Sequence, residues 1–195
     1  EMGIAQDLGS MEGKEIRIGS AASAMWGMVT TVTSNGSVNS MHDSQTPLSG
    51  MMQMLNMQIN CWFGGVGVGW MNYFAFLIIA VFISGLMVGR TPEFLGKKIE
   101  AREVRWSMVG VLLPGIAVLA MSGLAAATEV GRESICNAGP HGLTEILYCF
   151  GSQAGNNGSA FAGLSVGDTP FYSLLGGLAM LLSLIHISEP TRQEA

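Results

Sequence analysis

Two short strings set asparagine, glycine and serine side by side: Thr33-Ser34-Asn35-Gly36-Ser37 and Asn156-Asn157-Gly158-Ser159. Their side chains supply no nucleophile paired with a base, but their backbone supplies a row of carbonyl oxygens. A dehydrated cation needs its lost waters replaced by oxygens, and consecutive carbonyls on an extended loop are a dense source of them. Glycine accepts the unusual backbone angles that turn successive carbonyls toward one axis. Taken singly, each string is also a hairpin-turn signal and, formally, a glycosylation sequon. Repetition favours ligation. Each string follows an apolar run of half-membrane length, GSAASAMWGMVTTV (19–32) and LTEILYCFGSQAG (143–155).

Other residues with chemical potential are fewer. Gly64, Gly65, Gly67 and Gly69 in FGGVGVG lack the spacing of a dinucleotide fingerprint and border a long apolar run. Their plain reading is a flexible glycine hinge. GLSVG (163–167) fits the nucleophile-elbow pattern around Ser165, but Asp168-Thr169-Pro170 follows at once, and the motif is rejected. His42-Asp43 has the residue types of acid–base chemistry without a nucleophile; Asp43 either caps a turn or raises the local cation concentration. Cys61, Cys136 and Cys149 are odd in number and widely spaced, which matches neither a disulfide framework nor a zinc pattern.

Irregular backbone that ligates an ion must be held by surrounding helices, and the composition points to a membrane. Of 195 residues, 49% are apolar and 12% charged, with 27 glycines and 14 methionines and a mean hydropathy of +0.41. The net charge of −5 implies no nucleic-acid partner. Residues 70–88 and 106–127 are uncharged and long enough to cross a hydrocarbon core of about 30 Å. Pro114, inside the second, is tolerated in a membrane helix whose neighbours satisfy the freed carbonyl. Between them, residues 90–105 hold Arg90, Lys97, Lys98, Arg102 and Arg105, five of the nine lysines and arginines, which marks a cytoplasmic loop. The near-helical spacing of Lys98, Glu100, Arg102 and Glu103 suggests a short surface helix, solvated or docked on a partner. With that loop inside, both Asn-Gly-Ser strings lie toward the outside. The short apolar runs then enter from outside and turn back, their negative dipole ends toward the cation. The fold class this predicts is an all-α polytopic membrane protein with two tandem membrane–pore-loop–membrane repeats, the module of potassium channels.

Strings running in order from about residue 10 to about residue 181 carry a closer resemblance: MEGKEIRIG, TSNGSVNSMHDSQTPLSG, MLNMQ, FGGVGVG, GLMVGRTPEFLGKKIEAREV, NAGPHGLTEILYCF and NNGSAFAGLS. They resemble the KdpA family, the potassium-binding subunits of Kdp-type potassium-transporting ATPases. That family sits in the potassium-transporter superfamily, where four such repeats in one chain close one filter. This chain supplies two and resembles the third and fourth. The resemblance implies an outer segment at 1–17, a third repeat at 18–89 (pore helix, filter strand, broken inner helix), a cytoplasmic loop at 90–105 and a fourth repeat with a truncated inner helix at 106–181.

The resemblance also implies roles. Potassium is the expected ion, with no organic cofactor, held at Thr33, Ser34, Asn35, Gly36, Ser37, Asn156, Asn157, Gly158 and Ser159. Asn35 departs from the TSCG common in the family's third strand. Gly64, Gly65, Gly67 and Gly69 would form the gate, and Arg90, Lys97, Lys98 and Arg102 the partner-facing loop. Implied partners are a P-type ATPase catalytic subunit (KdpB), small accessory subunits (KdpC and KdpF) and the bilayer of a bacterial or archaeal plasma (inner) membrane. No phosphorylation motif or phosphate-cradling loop is present, so ATP hydrolysis is expected on the partner rather than on this chain. Two alternatives compete: a passive Trk/Ktr-type potassium channel subunit, against which GRTPEFLGKKIEA and NNGSAFAG tell, and a membrane assembly subunit with no ion path, which has no use for two filter-like loops. The opening EMGIAQDLGSMEGKE shows no signal-peptide pattern, and the chain reads as a fragment. LSLIHISEPTR (182–192) resembles a translated sequencing adapter, so 182–195 is expected to be a non-native tail.

Overall fold

The computed structural model describes residues 9–65, 67–159, 161–164, 166–167 and 169–188, the side chains to residue 183. Residues 1–8 of the expected outer segment, Val66 of the glycine break, Ser165 of the rejected elbow and the end of the tail lie outside the described residues. The chain is mostly helical. Its helices are α1 (Gly19–Val32), α2 (Pro47–Ile59), α3 (Val68–Val88), α4 (Ala101–Ala127), α5 (Glu129–Glu133), α6 (Pro140–Ala154) and α7 (Pro170–Ser188), with a single 3-10 turn at His42–Ser44.

The two long uncharged runs form α3 and α4, whose 21 and 27 residues extend for about 31 and 40 Å. Both are long and apolar enough to cross a membrane. In α3 only Gly69 is buried among the described residues, and Trp70 and Met87 are 68% and 84% exposed. A helix apolar on all sides whose surface stays this exposed suits a lipid surrounding rather than water. α4 packs on α3, α6 and α7, and α6 also packs on α2 and α7. The apolar core lies where these helices meet, built from Val118, Ala125, Ile146, Phe150, Ala154 and Tyr172. A second cluster of Met57, Tyr148 and Phe161 joins α2 to α6.

The loop between α3 and α4 departs from the expected surface helix. Glu93–Phe94 (β1) and Lys97–Lys98 (β2) pair antiparallel, with Glu93 opposite Lys98. Leu95 and Gly96 turn the hairpin with φ of 49° and 77°, the positive pair that tight hairpins require. Glu100 then opens α4 with a reciprocal capping box to Glu103, so Arg102 and Arg105 ride the first turns of the long helix. The charge spacing that looked helical belongs half to a hairpin and half to α4. Arg90, Lys97, Lys98, Arg102 and Arg105 are all exposed.

α2 is the element that hydropathy conceals. PLSGMMQMLNMQI alternates methionine with amides, and Gln53, Asn56 and Met57 are buried against neighbouring elements. Gln53 and Ser49 both donate to Gln45 Oε1 at 2.6 Å, and Asn56 reaches Thr31 Oγ1 at 3.4 Å. A Cβ on Gly27 would stand 2.7 Å from Gln53 Nε2, so glycine sets how closely α1 approaches α2. α2 begins at Thr46-Pro47 as α7 begins at Thr169-Pro170. The glycine-rich segment 63–67 separates α2 from α3. α7 passes residue 182, the expected start of the tail, without a break.

Candidate functional site

The two predicted loops meet. α1 delivers the chain to 33–37 and α6 delivers it to 156–159. A Cβ on Gly36 would lie 3.0 Å from the carbonyl carbon of Gly158 and 3.1 Å from the carbonyl oxygens of both Asn157 and Gly158. From the other side, a Cβ on Gly158 would lie 3.6 Å from Gly36 Cα. Asn157 Nδ2 donates to Thr30 O at 3.0 Å and so ties the 156–159 loop to α1. Among the described residues, the carbonyls of Gly36, Asn157 and Gly158 accept no hydrogen bond.

The loops are built to one local plan. Asn35 N–H donates to Thr30 O at 3.0 Å and Asn157 N–H to Ser152 O at 2.9 Å, each closing a wide final turn of its pore helix. Ser34 and Asn156 then adopt φ of 51° and 50°. These left-handed residues, not the glycines alone, reverse the chain; asparagine tolerates the region and serine is held there by its surroundings. Each asparagine then folds back on its own loop: Ser37 N–H donates to Asn35 Oδ1 at 2.8 Å, and Ser159 N–H to Asn157 Oδ1 at 3.0 Å. Asn35, the departure from the family string, thus makes in the third loop the bond that Asn157 makes in the fourth. Gly158 has φ of 83°, whereas Gly36 is absent from the positive-φ residues. Close approach, not backbone angle, is what requires glycine at 36. Thr33 turns its hydroxyl back to Val29 O at 2.8 Å, and Asn35 O accepts from Thr30 Oγ1 at 2.6 Å, so neither faces the junction free.

Ser159 is 3% exposed, and its hydroxyl belongs to a buried chain rather than to the loop surface. His42 Nδ1 meets Tyr148 OH at 2.8 Å, and Tyr148 OH meets Ser159 Oγ at 2.9 Å. The 3-10 turn outside the third loop is thereby wired to the fourth. Burial holds the His42 imidazole below its ordinary pKa, which keeps it neutral. Tyr148→Phe removes both hydrogen bonds at once and leaves the buried His42 Nδ1 unpaired, while Ser159 Oγ keeps Asn157 Oδ1, a loss of about 1–3 kcal/mol. A lowered thermal midpoint of the purified assembly with this variant is the expected result. An unchanged midpoint would show that the chain contributes nothing to stability.

The glycine break lies against the start of the third loop. Gly64 N–H donates to Val32 O at 3.1 Å, and Ser34 Oγ donates to Asn60 Oδ1 at 2.6 Å. Asn60 ends α2 in the left-handed region, and its carbonyl accepts from Asn72 Nδ2 of α3 at 2.8 Å. A Cβ on Gly64 would stand 2.3 Å from Gly69 N, and one on Gly69 would stand 2.6 Å from Phe63 O. Only glycine lets the two limbs of this turn touch. Gly65 has no such restraint, with nothing nearer than 4.0 Å, whereas Gly67 has open space but a φ of 85° that favours glycine. A cavity of about 760 Å³ opens beside the break, lined by Asn60, Asn72, Phe74, Pro114 and Gly155 among others. Asn156 Nδ2 donates at 3.2 Å to Ser183 Oγ of α7, within the segment expected to be non-native.

Sequence reasoning missed a cluster just outside the loops. Asp43 is not a solvated mouth charge but is 9% exposed, held by His141 Nε2 at 2.6 Å and Asn137 Nδ2 at 3.2 Å. Glu145 lies beside them. His141 and Glu145 are four residues apart on α6 and share one face, a spacing that could have been noticed; their meeting with Asp43 could not. All three cysteines are free, as their spacing predicts.

Comparison with known proteins agrees with this architecture. The model of the family KdpA, described as "Potassium-transporting ATPase A subunit", matches residues 2–186. A Phocaeicola vulgatus protein named potassium-transporting ATPase potassium-binding subunit is 60% identical over 190 residues, covering 93% of this chain and 33% of its own. The Bacteroides thetaiotaomicron protein of that name is 57% identical over 191 residues, covering 94% and 34%. One from Flavobacterium johnsoniae is 51% identical over 195 residues, again covering 94% and 34%. The chain spans about a third of the length of the curated relatives it matches. With a family model matched from residue 2 to residue 186, and relatives of 51–60% identity over more than nine tenths of its length, the chain belongs to the KdpA family of potassium-transporting ATPase A subunits.

Proposed function

We propose that this chain forms part of the ion path of a potassium-importing ATPase. Its two Asn-Gly-Ser loops contribute two strands of a filter that binds potassium through backbone carbonyls. The observation that carries the reading is the close approach of Gly36 to Asn157 and Gly158, where three carbonyls free of hydrogen bonds gather among the described residues. An ion with weak hydration and no directional demand suits such oxygens. The C-terminal ends of α1 and α6 point their negative dipole ends at the same place. Non-helical backbone at this depth is tolerated where it lines protein or water, which the pore helices provide.

The glycine break at 64–69 serves as the gate inside the membrane. ATP is hydrolysed on a P-type catalytic subunit (KdpB), with small accessory subunits (KdpC, KdpF) completing the complex. Arg90, Lys97, Lys98 and Arg102 face that partner on the cytoplasmic side of a bacterial or archaeal plasma membrane, which the subunit crosses several times. The charge asymmetry sets the orientation. In a full-length subunit whose native cysteines are replaced by serine, Lys98→Cys and Thr46→Cys should label from opposite faces with a membrane-impermeant maleimide. Both sites are exposed. Labelling of both from one face would overturn the topology and the outward placement of the loops with it.

A further inference from the structure

The geometry points to a second cation site, for a divalent transition metal of the zinc class, at Asp43, His141 and Glu145 on the outer side of the loops. One ligand atom from each of the three residues lies within 4.8 Å of the other two. Two of the ligands come from one helix face, His141 and Glu145 at i and i+4 of α6, and the third from the 3-10 turn of the other repeat. Nothing in a potassium filter calls for an imidazole. Potassium takes oxygen, whereas a nitrogen with two carboxylates suits zinc and its neighbours.

Charge supplies an independent argument. Glu145 is fully buried and Asp43 nearly so. Glu145 accepts from Asn137 Nδ2 at 2.7 Å and from Cys136 N–H at 3.0 Å, while Asp43 accepts from Asn137 and His141. Among the described residues, neither carboxylate forms an ion pair with a lysine or arginine. Two carboxylates this close and this buried are costly without full positive compensation: the His141 imidazole is the one group that can bring charge, it is recorded on Asp43 alone, and the Asn137 amide supplies none. Nearby, on the turn that carries Asp43, His42 is fully buried and its Nε2 has no hydrogen-bond partner.

The fit needs little movement. Tetrahedral zinc with bonds of 2.0–2.2 Å places neighbouring ligand atoms about 3.3 Å apart. His141 and Asp43, at 2.6 Å, must open by well under an ångström, and Glu145 must exchange its bond from Asn137 for the metal. The bound ion would clamp the turn of the third repeat onto the pore helix of the fourth.

Zinc binding to the intact complex, prepared without a polyhistidine tag and measured by calorimetry in excess magnesium, tests this. The expected result is saturable binding at one site per complex and a raised thermal midpoint with zinc. His141→Ala should weaken that binding at least tenfold and abolish the shift while leaving the metal-free midpoint near wild type, because the His141 side chain is 43% exposed. Glu145→Gln should weaken it comparably, and Co²⁺ should give the visible absorption of a nitrogen–oxygen site in wild type only. No saturable binding, or binding unchanged in His141→Ala, would overturn the proposal and leave the cluster a hydrogen-bonded latch. Neither outcome bears on whether the loops bind potassium.

Discussion

Gly36→Ala and Gly158→Ala, each introduced into the full-length subunit, are expected to weaken apparent potassium affinity tenfold or more and to blur the preference over other alkali cations. The two variants act through different physics. At Gly158 the backbone angle of 83° is the obstacle: a β-carbon in the left-handed region costs about 1–2 kcal/mol. At Gly36 the obstacle is space, because the new methyl group meets the backbone of Asn157 and Gly158 at 3.0–3.1 Å and one loop must retreat. Either displacement moves carbonyls, and about 1.4 kcal/mol is already tenfold in affinity. Ser159→Ala should cost less than half as much in affinity, because its hydroxyl is committed to Tyr148 and Asn157 and not to the junction. Alkali-ion-stimulated ATPase activity of the assembled complex reads all three. Glycine variants with wild-type affinity and ion preference would make these loops turns and nothing more.

The second large effect lies at the break, where neighbouring glycines should behave oppositely. Gly64→Ala and Gly69→Ala drive a methyl group into backbone at 2.3–2.6 Å, and Gly64 also has φ of 58°. No side-chain adjustment relieves a clash with backbone, so these variants should lose several kcal/mol and assemble poorly. Gly65 has room for a Cβ, with Ser34 and Val68 side chains 4.0 Å away. Gly65→Leu should therefore fold, fill the space toward Ser34 and block passage. Transport should fall severalfold while potassium binding, read from protection of the purified complex against thermal unfolding, persists. Loss of binding and transport together would assign the break to packing rather than to gating.

Legibility in the sequence followed the range of the forces involved. The long helices were readable because one uninterrupted lack of charge decides them, and 70–88 and 106–127 fall inside α3 and α4. α2 was not readable as apolar, because Gln53 and Asn56 are buried by bonding to partners from other segments and composition cannot reveal that. The hairpin at 93–98 turns on Leu95 in a left-handed conformation, which a leucine does not announce. Within the site, the repeated Asn-Gly-Ser strings were visible, but Ser34 and Asn156 as the reversing residues were not. Asp43 failed for a plainer reason: its partner His141 is 98 residues away.

The bond from Asn157 to Thr30 spans 127 residues. A ribosome adding about 5–20 residues per second reaches Asn157 some 6–25 s after Thr30. For that interval the loop at 33–37 has its Asn35 and Thr30 bonds but lacks the wall that Asn157 and Gly158 supply. Closing this junction is thus a late event in synthesis, and a nascent chain stalled before residue 157 would leave Gly36 without the backbone it packs on.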